Sequence, residues 1–458
     1  MSPSARELAF SAAGALAGIA AMLALQRALL TGSRAVTLAM QQSEEDQGEI
    51  TRGRAKHDMT PSQLARRQAA DPLISLMLDL LDRLSLTEAC AVAEDLIAEH
   101  LEAAQREDAP PTELSTLAPR LVSNEFGRLW QPLHLREALI DYDNEAHVTC
   151  RQYVPATFRE LRNICNLAQV RGAAGPGAAL QLLTFDGDQT LYPDRATLGS
   201  DAPLVPLLLE LLTRGVALAL VTAVGFDEAA PYEARLSGLL AALTAASAPE
   251  ALCSRVFVVG GQCNYLARCR AEGGVATLYM VPPSEWRLPE MERWRPQQLQ
   301  RLLDVAQRAL LDGAARMHMA DKVKLVRKER AVGVLYEAEK HRTELHRTTT
   351  LMLDELAVHA RQAVREEQRT NAALRSMPFC AFNGGRDVFV DVGSKDLGIA
   401  SLQRIVGATP QSTLHMGDQF TQTGNDLLAR RACGTLWVDS PEETAVLLRY
   451  MLRMRAKG

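Results

Sequence analysis

The sequence predicts an α/β fold: an open, doubly wound parallel sheet carrying a large insert, preceded by a helical N-terminal domain. Three observations predict it. Short, mostly apolar runs such as Leu180–Phe185 and Val216–Val221 read as strands buried on both faces. Helix-like stretches alternate with them, Pro203–Arg214 after the first and Leu397–Val406 ahead of the strand-like Thr413–Met416. Acidic and polar residues follow directly on the strand ends, where open α/β sheets hold their ligands.

The elements follow in order. Leu8–Gln26 is an uncharged run rich in Ala and Gly, with no acidic residue between Glu7 and Glu44. A membrane anchor, an organelle transit peptide and a simple extension remain open for residues 1–57, which end in a polar linker over 42–57. Leu73, Leu76, Met77, Leu80, Leu81 and Leu84 recur at three and four, so residues 58–171 are expected to form a helical domain. Ser85–Glu88 and Thr157–Glu160 have the form of capping boxes that open two of its helices. Gly172–Gly177 is expected to act as a hinge. Residues 178–235 and 380–458 form the sheet and its helices. The insert spans 236–379, with strand-like Val256–Val259 and Thr277–Val281 and long helical stretches at Gln297–Leu311 and about Thr350–Leu374. Strand patterns resume at Phe379–Phe382 and Asp387–Val392.

Apolar residues make up 47% of the 458, enough for a substantial core, and the net charge of −5 with no basic stripe argues against nucleic-acid binding. Eight cysteines lack CxxC or zinc-like spacing and read as reduced thiols, consistent with a cytoplasmic location.

The chemistry concentrates in four segments. Thr184-Phe185-Asp186-Gly187-Asp188 places two carboxylates just beyond a strand. A calcium loop is excluded, because its sixth position would be Leu191 and its twelfth Thr197. Thr222 ends the second strand with a hydroxyl that can donate to a phosphate oxygen. Lys395 stands where a strand gives way to a helix and can neutralise a nucleophile and phosphoryl oxygens. Gly417-Asp418 follows an apolar strand, and glycine lets a carboxylate reach a metal unobstructed. Mg2+ prefers few carboxylates, several waters and the substrate phosphate. Asp186, Asp418 and the main-chain carbonyl of Asp188 form such a ligand set.

These motifs, in this order, resemble the haloacid-dehalogenase (HAD) superfamily of phosphatases, with the insert as an α+β cap. The resemblance implies that Asp186 is the nucleophile and forms an aspartyl-phosphate, and that Asp188 is the acid and then the base. Longer segments are similar to the IMP-specific 5′-nucleotidase family: Tyr153–Arg162, Phe185–Tyr192, Gly260–Leu266, Val326–Gly333, Phe382–Asp391 and His415–Phe420. That resemblance covers about residues 60–450. It implies Mg2+-dependent hydrolysis of inosine 5′-monophosphate (IMP), a cytosolic homo-oligomer, typically a tetramer, stimulation by ATP, and a regulatory and assembly role for the helical domain at 58–171. It also implies an acidic substrate contact at Asp194, although Arg195 stands where the family tends to glycine. Asp387, Asn264 and Asn383 are further candidate substrate contacts, the amides suiting a purine edge. The basic run Arg327, Lys328 and Arg330 reads as a solvated face or an anion or subunit contact. Two other readings stay open: another capped phosphatase or phosphomutase acting on sugar phosphates, and a non-catalytic nucleotide-sensing assembly protein.

Overall fold

Asp71 and Pro72 open the first helix as their chemistry dictates: the Asp71 carboxylate accepts from the Leu73 amide, and proline has no donor to leave unpaired. The computed structural model describes residues 71–106, 110–123, 128–337 and 346–455, all within one compact unit, residues 69–458. The N-terminal run at 8–26 and the linker at 42–57 lie outside the described residues. Four helices of ten residues or more come first: α1 (Pro72–Leu81), α2 (Leu86–Ala103), α3 (Leu135–Ala146) and α4 (Phe158–Ala174). Both expected capping boxes form, at Ser85–Glu88 and Thr157–Glu160. Helix α4 runs through Gly172, whose Cβ position is filled by the Pro132 carbonyl oxygen 2.4 Å away. The expected hinge at 172–177 therefore shortens to the turn after Ala174.

The main sheet has seven strands. These are β1 (Leu182–Phe185), β2 (Ala217–Val221), β3 (Val256–Gly260), β4 (Tyr265–Glu272), β5 (Val275–Met280), β10 (Thr413–Gly417) and β11 (Gly434–Trp437), in the order β11-β10-β1-β2-β3-β4-β5. The first five in that order pair in parallel, and β4 and β5 are antiparallel additions. Helices α5 (Leu204–Thr213) and α6 (Ser237–Ala245) sit on one face. Alternation along the strands divides the core: Leu183, Phe185, Leu218 and Leu220 face the side of α1–α6, while Leu182, Ala217, Ala219 and Val221 face the other. This explains why these strands are apolar throughout.

A second, antiparallel sheet has the order β6-β7-β9-β8: β6 (Val323–Arg327), β7 (Ala331–Tyr336), β9 (Asp387–Val392) and β8 (Phe379–Asn383). Helices α7 (Pro296–Arg316) and α8 (His346–Thr370) cover it with their apolar stripes and give it a core of its own. The chain then returns through Gly393 to α9 (Lys395–Val406), which packs on the far face of the main sheet. Helix α10 (Pro441–Arg455) closes the fold.

This topology moves the expected boundaries of the insert. Residues 256–280 belong to the main sheet, although they were assigned to the insert beginning at 236. Residues 380–392 belong to the second sheet rather than to the core expected to resume at 380. The physical reason is pairing: β4 folds back onto β3 and extends the main sheet, while β8 and β9 pair with β7. Helices α1–α4 also share one continuous core with the main sheet. Buried Arg162 pairs with Glu443 and Asp439, the amide of Asn166 brackets Trp437, and Asp71 pairs with Arg430. Among the described residues no helix is long and apolar enough to cross a membrane.

Candidate active site

Parallel pairing brings the carboxyl ends of β1, β2, β3 and β10 together, and the four motifs meet there. Asp186 leaves β1 with its amide on the Met416 carbonyl at 2.8 Å. Its Oδ1 lies 2.8 Å from Nζ of Lys395, which is wholly buried. The same Nζ reaches Oδ1 of Asp426 at 2.5 Å. Asp426 also accepts from His415 Nε2 at 2.9 Å and, through Oδ2, from the Gln419 amide at 2.9 Å. The other ring nitrogen of His415 lies 2.8 Å from Thr184 Oγ1, its partner in register on β1.

Burial makes these charges interdependent. Burial pushes the Asp186 carboxyl up to about 6 against the pull of Lys395. Burial alone would depress Lys395, but Asp186 and Asp426 hold it above the ordinary lysine value. Burial would raise Asp426, yet Lys395 and His415 hold it below the ordinary range. Burial lowers His415, which keeps the ring neutral, with Nε2–H donating to Asp426 and Nδ1 accepting from Thr184.

Asp418 completes the cluster. Burial, then Asp186 and Asp426, push its carboxyl well up. Its Oδ1 is buried with no hydrogen-bond partner among the described residues. Carboxylate oxygens of Asp186, Asp418 and Asp426 lie within 4.8 Å of one another. Converging hard oxygen donors, one of them unsatisfied, fit a small divalent cation. Asp426 was not among the sequence candidates. Its signal was the pair Thr184 and His415, polar residues inside otherwise apolar strands. Gly417 is needed for Asp426, since a Cβ there would lie 2.3 Å from that carboxylate carbon.

Asp188 stands at the rim. Its Oδ1 accepts from the Arg195 amide at 2.8 Å, and Oδ2 lies 3.7 Å from Arg235. Arg195 holds a left-handed backbone, φ +61°, so a residue other than glycine keeps the turn the loop requires. Thr222 is buried and its Oγ1 accepts from the Val224 amide at 3.2 Å, which leaves its hydroxyl proton available. Asp194 is exposed, while Asp387 is mostly buried. Burial raises Asp387, Arg195 and Lys328 oppose the rise, and Asp194 adds to it.

The two candidate amides are both engaged within the fold. Asn264 donates from Nδ2 to the carbonyls of Gly261 and Val392 and accepts from Arg330. Asn383 donates to Asp354 and to the Thr350 carbonyl and accepts from the Gly385 amide. Both amide ends are engaged in holding loops. In the basic run, Arg327 pairs with Asp304 and Arg330 with Asn264, while Lys328 stands over the Phe389 ring.

The family model for IMP-specific 5′-nucleotidases matches residues 85–448. An IMP-specific 5′-nucleotidase 1 of Aspergillus fumigatus is 38% identical over 342 residues, covering 73% of this chain and 72% of the relative. The enzyme of the same description from Eremothecium gossypii is 36% identical over 334 residues, covering 71% and 78%. An IMP-bound, N-terminally truncated IMP-nucleotidase from Plasmodium falciparum superposes with a TM-score of 0.71 at 27% identity, covering 87% of this chain and 99% of that one. The ATP-bound form of the Plasmodium protein superposes at 0.68 with 28% identity, covering 86% and 87%. With a doubly wound HAD-like sheet and a buried Asp–Lys–Asp array at its strand ends, the chain belongs to the IMP-specific 5′-nucleotidase family of phosphoric monoester hydrolases.

Proposed function

We propose that the chain hydrolyses IMP to inosine and phosphate through an aspartyl-phosphate on Asp186. The observation that carries this reading is the buried array of Asp186, Lys395 and Asp426 beside the unsatisfied Asp418. Asp186 attacks phosphorus and the bond from phosphorus to the ribose 5′ oxygen breaks. Asp188 protonates the departing oxygen, then takes a proton from the water that attacks the phosphoryl group and frees Asp186. Lys395 holds Asp186 as a carboxylate and balances phosphoryl charge, and the Thr222 hydroxyl donates to a phosphoryl oxygen. Mg2+ suits Asp186, Asp418, Asp426 and the Asp188 carbonyl, and when bound it supplies positive charge to the phosphoryl oxygens. The second sheet with α7 and α8 serves as the cap, and Asp194 and Asp387 bind substrate hydroxyls at its mouth. Stimulation by ATP is supported by the ATP-bound Plasmodium neighbour; assembly as a tetramer in the cytoplasm rests on the family resemblance.

The test is phosphate release from IMP, GMP, AMP, pyridoxal phosphate and glucose 6-phosphate, with Mg2+ or EDTA, beside Asp186→Asn. IMP preference lost with EDTA and in the variant is the expected result. A sugar-favouring profile would retain the chemistry and reject the substrate. No metal-dependent release from any of them would reject both.

A further inference from the structure

The short helix Ala230–Arg235 reaches both of the loops that follow β1 and β2. Toward the β2 loop it sends Tyr232, whose hydroxyl accepts from the Phe226 amide at 2.7 Å and donates to the Phe226 carbonyl at 3.0 Å. Toward the β1 loop it sends Arg235. The Arg235 carbonyl accepts from the Leu198 amide at 2.8 Å, which ties the helix to the chain just beyond Asp194. The Arg235 guanidinium lies 5.9 Å from the centre of the Tyr192 ring and donates from Nη1 to the Tyr192 hydroxyl at 3.3 Å. The same Nη1 stands 3.7 Å from Asp188 Oδ2. Tyr192 is itself buried beneath the β1 loop, where a Cβ on Gly187 would lie 2.3 Å from its oxygen. Burial pushes that phenol up to about 12, with Arg235 pulling down, so it serves as a neutral anchor for the guanidinium.

We infer that Arg235 is a positioning residue that acts through Asp188, an assignment that rests on the acid–base role proposed for that carboxylate. The two oxygens of Asp188 have different surroundings. Oδ1 accepts from the Arg195 amide at 2.8 Å. Oδ2 faces Arg235 at 3.7 Å, beyond hydrogen-bond distance, so it is the oxygen with room to carry the proton. A carboxyl group held through Oδ1 alone would swing about its Cβ–Cγ bond. The guanidinium on the opposite side fixes its plane without occupying the second oxygen. The proton passes from Oδ2 to the ribose 5′ oxygen as the bond from that oxygen to phosphorus breaks, and negative charge grows on Oδ2 beside Arg235. The attraction is greater in this transition state than before it, which speeds the step. Anchoring on a neutral phenol, rather than on a second carboxylate, keeps the charge of Arg235 directed at Asp188.

The test compares two leaving groups in the full chain with Mg2+. The ribose 5′ oxygen of IMP needs a proton to depart, whereas the phenolate of p-nitrophenyl phosphate leaves without one. Values of kcat/KM, which report the step that phosphorylates Asp186, are measured for wild type, Arg235→Met, Arg235→Lys and Tyr192→Phe, with Asp188→Asn as the reference for loss of the acid. Arg235→Met should lower kcat/KM for IMP about 10- to 100-fold. Arg235→Lys should recover most of that loss, and Tyr192→Phe should lose less than Arg235→Met. All three should turn over p-nitrophenyl phosphate within about threefold of wild type, and inhibition by inorganic phosphate should be unchanged. Equal losses on both substrates, weaker inhibition by phosphate, or wild-type hydrolysis of IMP by Arg235→Met would overturn the inference. If the wild type refuses the aryl ester, recovery by lysine with unchanged phosphate inhibition upholds it, and no recovery overturns it. Full hydrolysis of IMP by Asp188→Asn would remove the acid–base role and this assignment together. An inactive Asp188→Asn beside an unaffected Arg235→Met would remove this assignment alone.

Discussion

Gly393 joins β9 of the second sheet to the helix that carries Lys395, and its replacement by alanine can be worked out from two separate terms. The backbone there has φ +91°, outside the region open to L-residues, which costs about 1–3 kcal/mol for a side chain. A Cβ at this position would also lie 2.2 Å from Cys263 Sγ, and relieving such overpacking costs about 1–3 kcal/mol. Gly393→Ala should therefore destabilise by about 2–6 kcal/mol. Removing the sulfur separates the terms: after Cys263→Ala the nearest Cys263 atom is its Cβ at 3.9 Å, an ordinary contact. In that background Gly393→Ala should cost only the backbone term, about 1–3 kcal/mol. The double-mutant cycle should then show about 1–3 kcal/mol of favourable coupling, read from guanidinium midpoints with unchanged slopes. Additivity within about 0.5 kcal/mol would refute the steric reasoning, and a single-variant cost below about 1 kcal/mol would refute both terms.

Three further outcomes are expected. Lys395→Met leaves buried Asp186 and Asp426 without their cation; in EDTA at neutral pH it should lose about 3–5 kcal/mol, and its kcat should fall at least about 100-fold in phosphate-release assays. Asp391, fully buried, is pushed up to about 7 by burial, with Lys328 and Gln262 pulling down and Asp387 pushing up. The folded chain thus keeps a proton that the unfolded chain releases near 3.8, so this group's contribution to stability is greatest below that value and is lost as pH rises to about 7. Asp391→Asn should flatten denaturation midpoints between pH 5 and 7 and stabilise the protein at pH 8; an unchanged profile would exclude the shift. Asp354, on α8, accepts from Asn383 at 3.0 Å and from Thr423 at 2.6 Å, where Thr423 opens the turn toward Asp426. Asp354→Ala should cost about 1–3 kcal/mol and raise the half-saturating Mg2+ several-fold, measured by direct titration of the metal.

The fold class and the four segments that meet at the strand ends were legible in the sequence because both depend on local information. Buried strands such as Ala217–Val221 are apolar throughout, and their ends collect polar residues. Which sheet a strand joins is not local. Val256–Gly260 and Phe379–Asn383 look alike as apolar runs, but one extends the main sheet and the other the cap. Asp426 escaped for a related reason: it lies eight residues beyond Asp418, and only the folded turn over Gly417 swings it back to Lys395. Asn264 and Asn383 show a use that composition does not reveal: both satisfy main-chain groups in tight loops. Arg195 holds a left-handed backbone, φ +61°, the conformation that glycine adopts most readily.

The shared core of α1–α4 with β11 and α10 also bears on the order in which the chain matures. Asp71 waits for Arg430, and Arg162 for Glu443, partners 359 and 281 residues downstream. A chain emerging from a ribosome makes these helices long before β11 and α10 exist to cover α4. The second sheet, with its own core from Leu299 to Val392, meets no such delay and can close during translation. The early helices therefore stay partly uncovered until synthesis ends, and the nascent chain is most exposed to chaperones and proteases through its oldest segment rather than its newest.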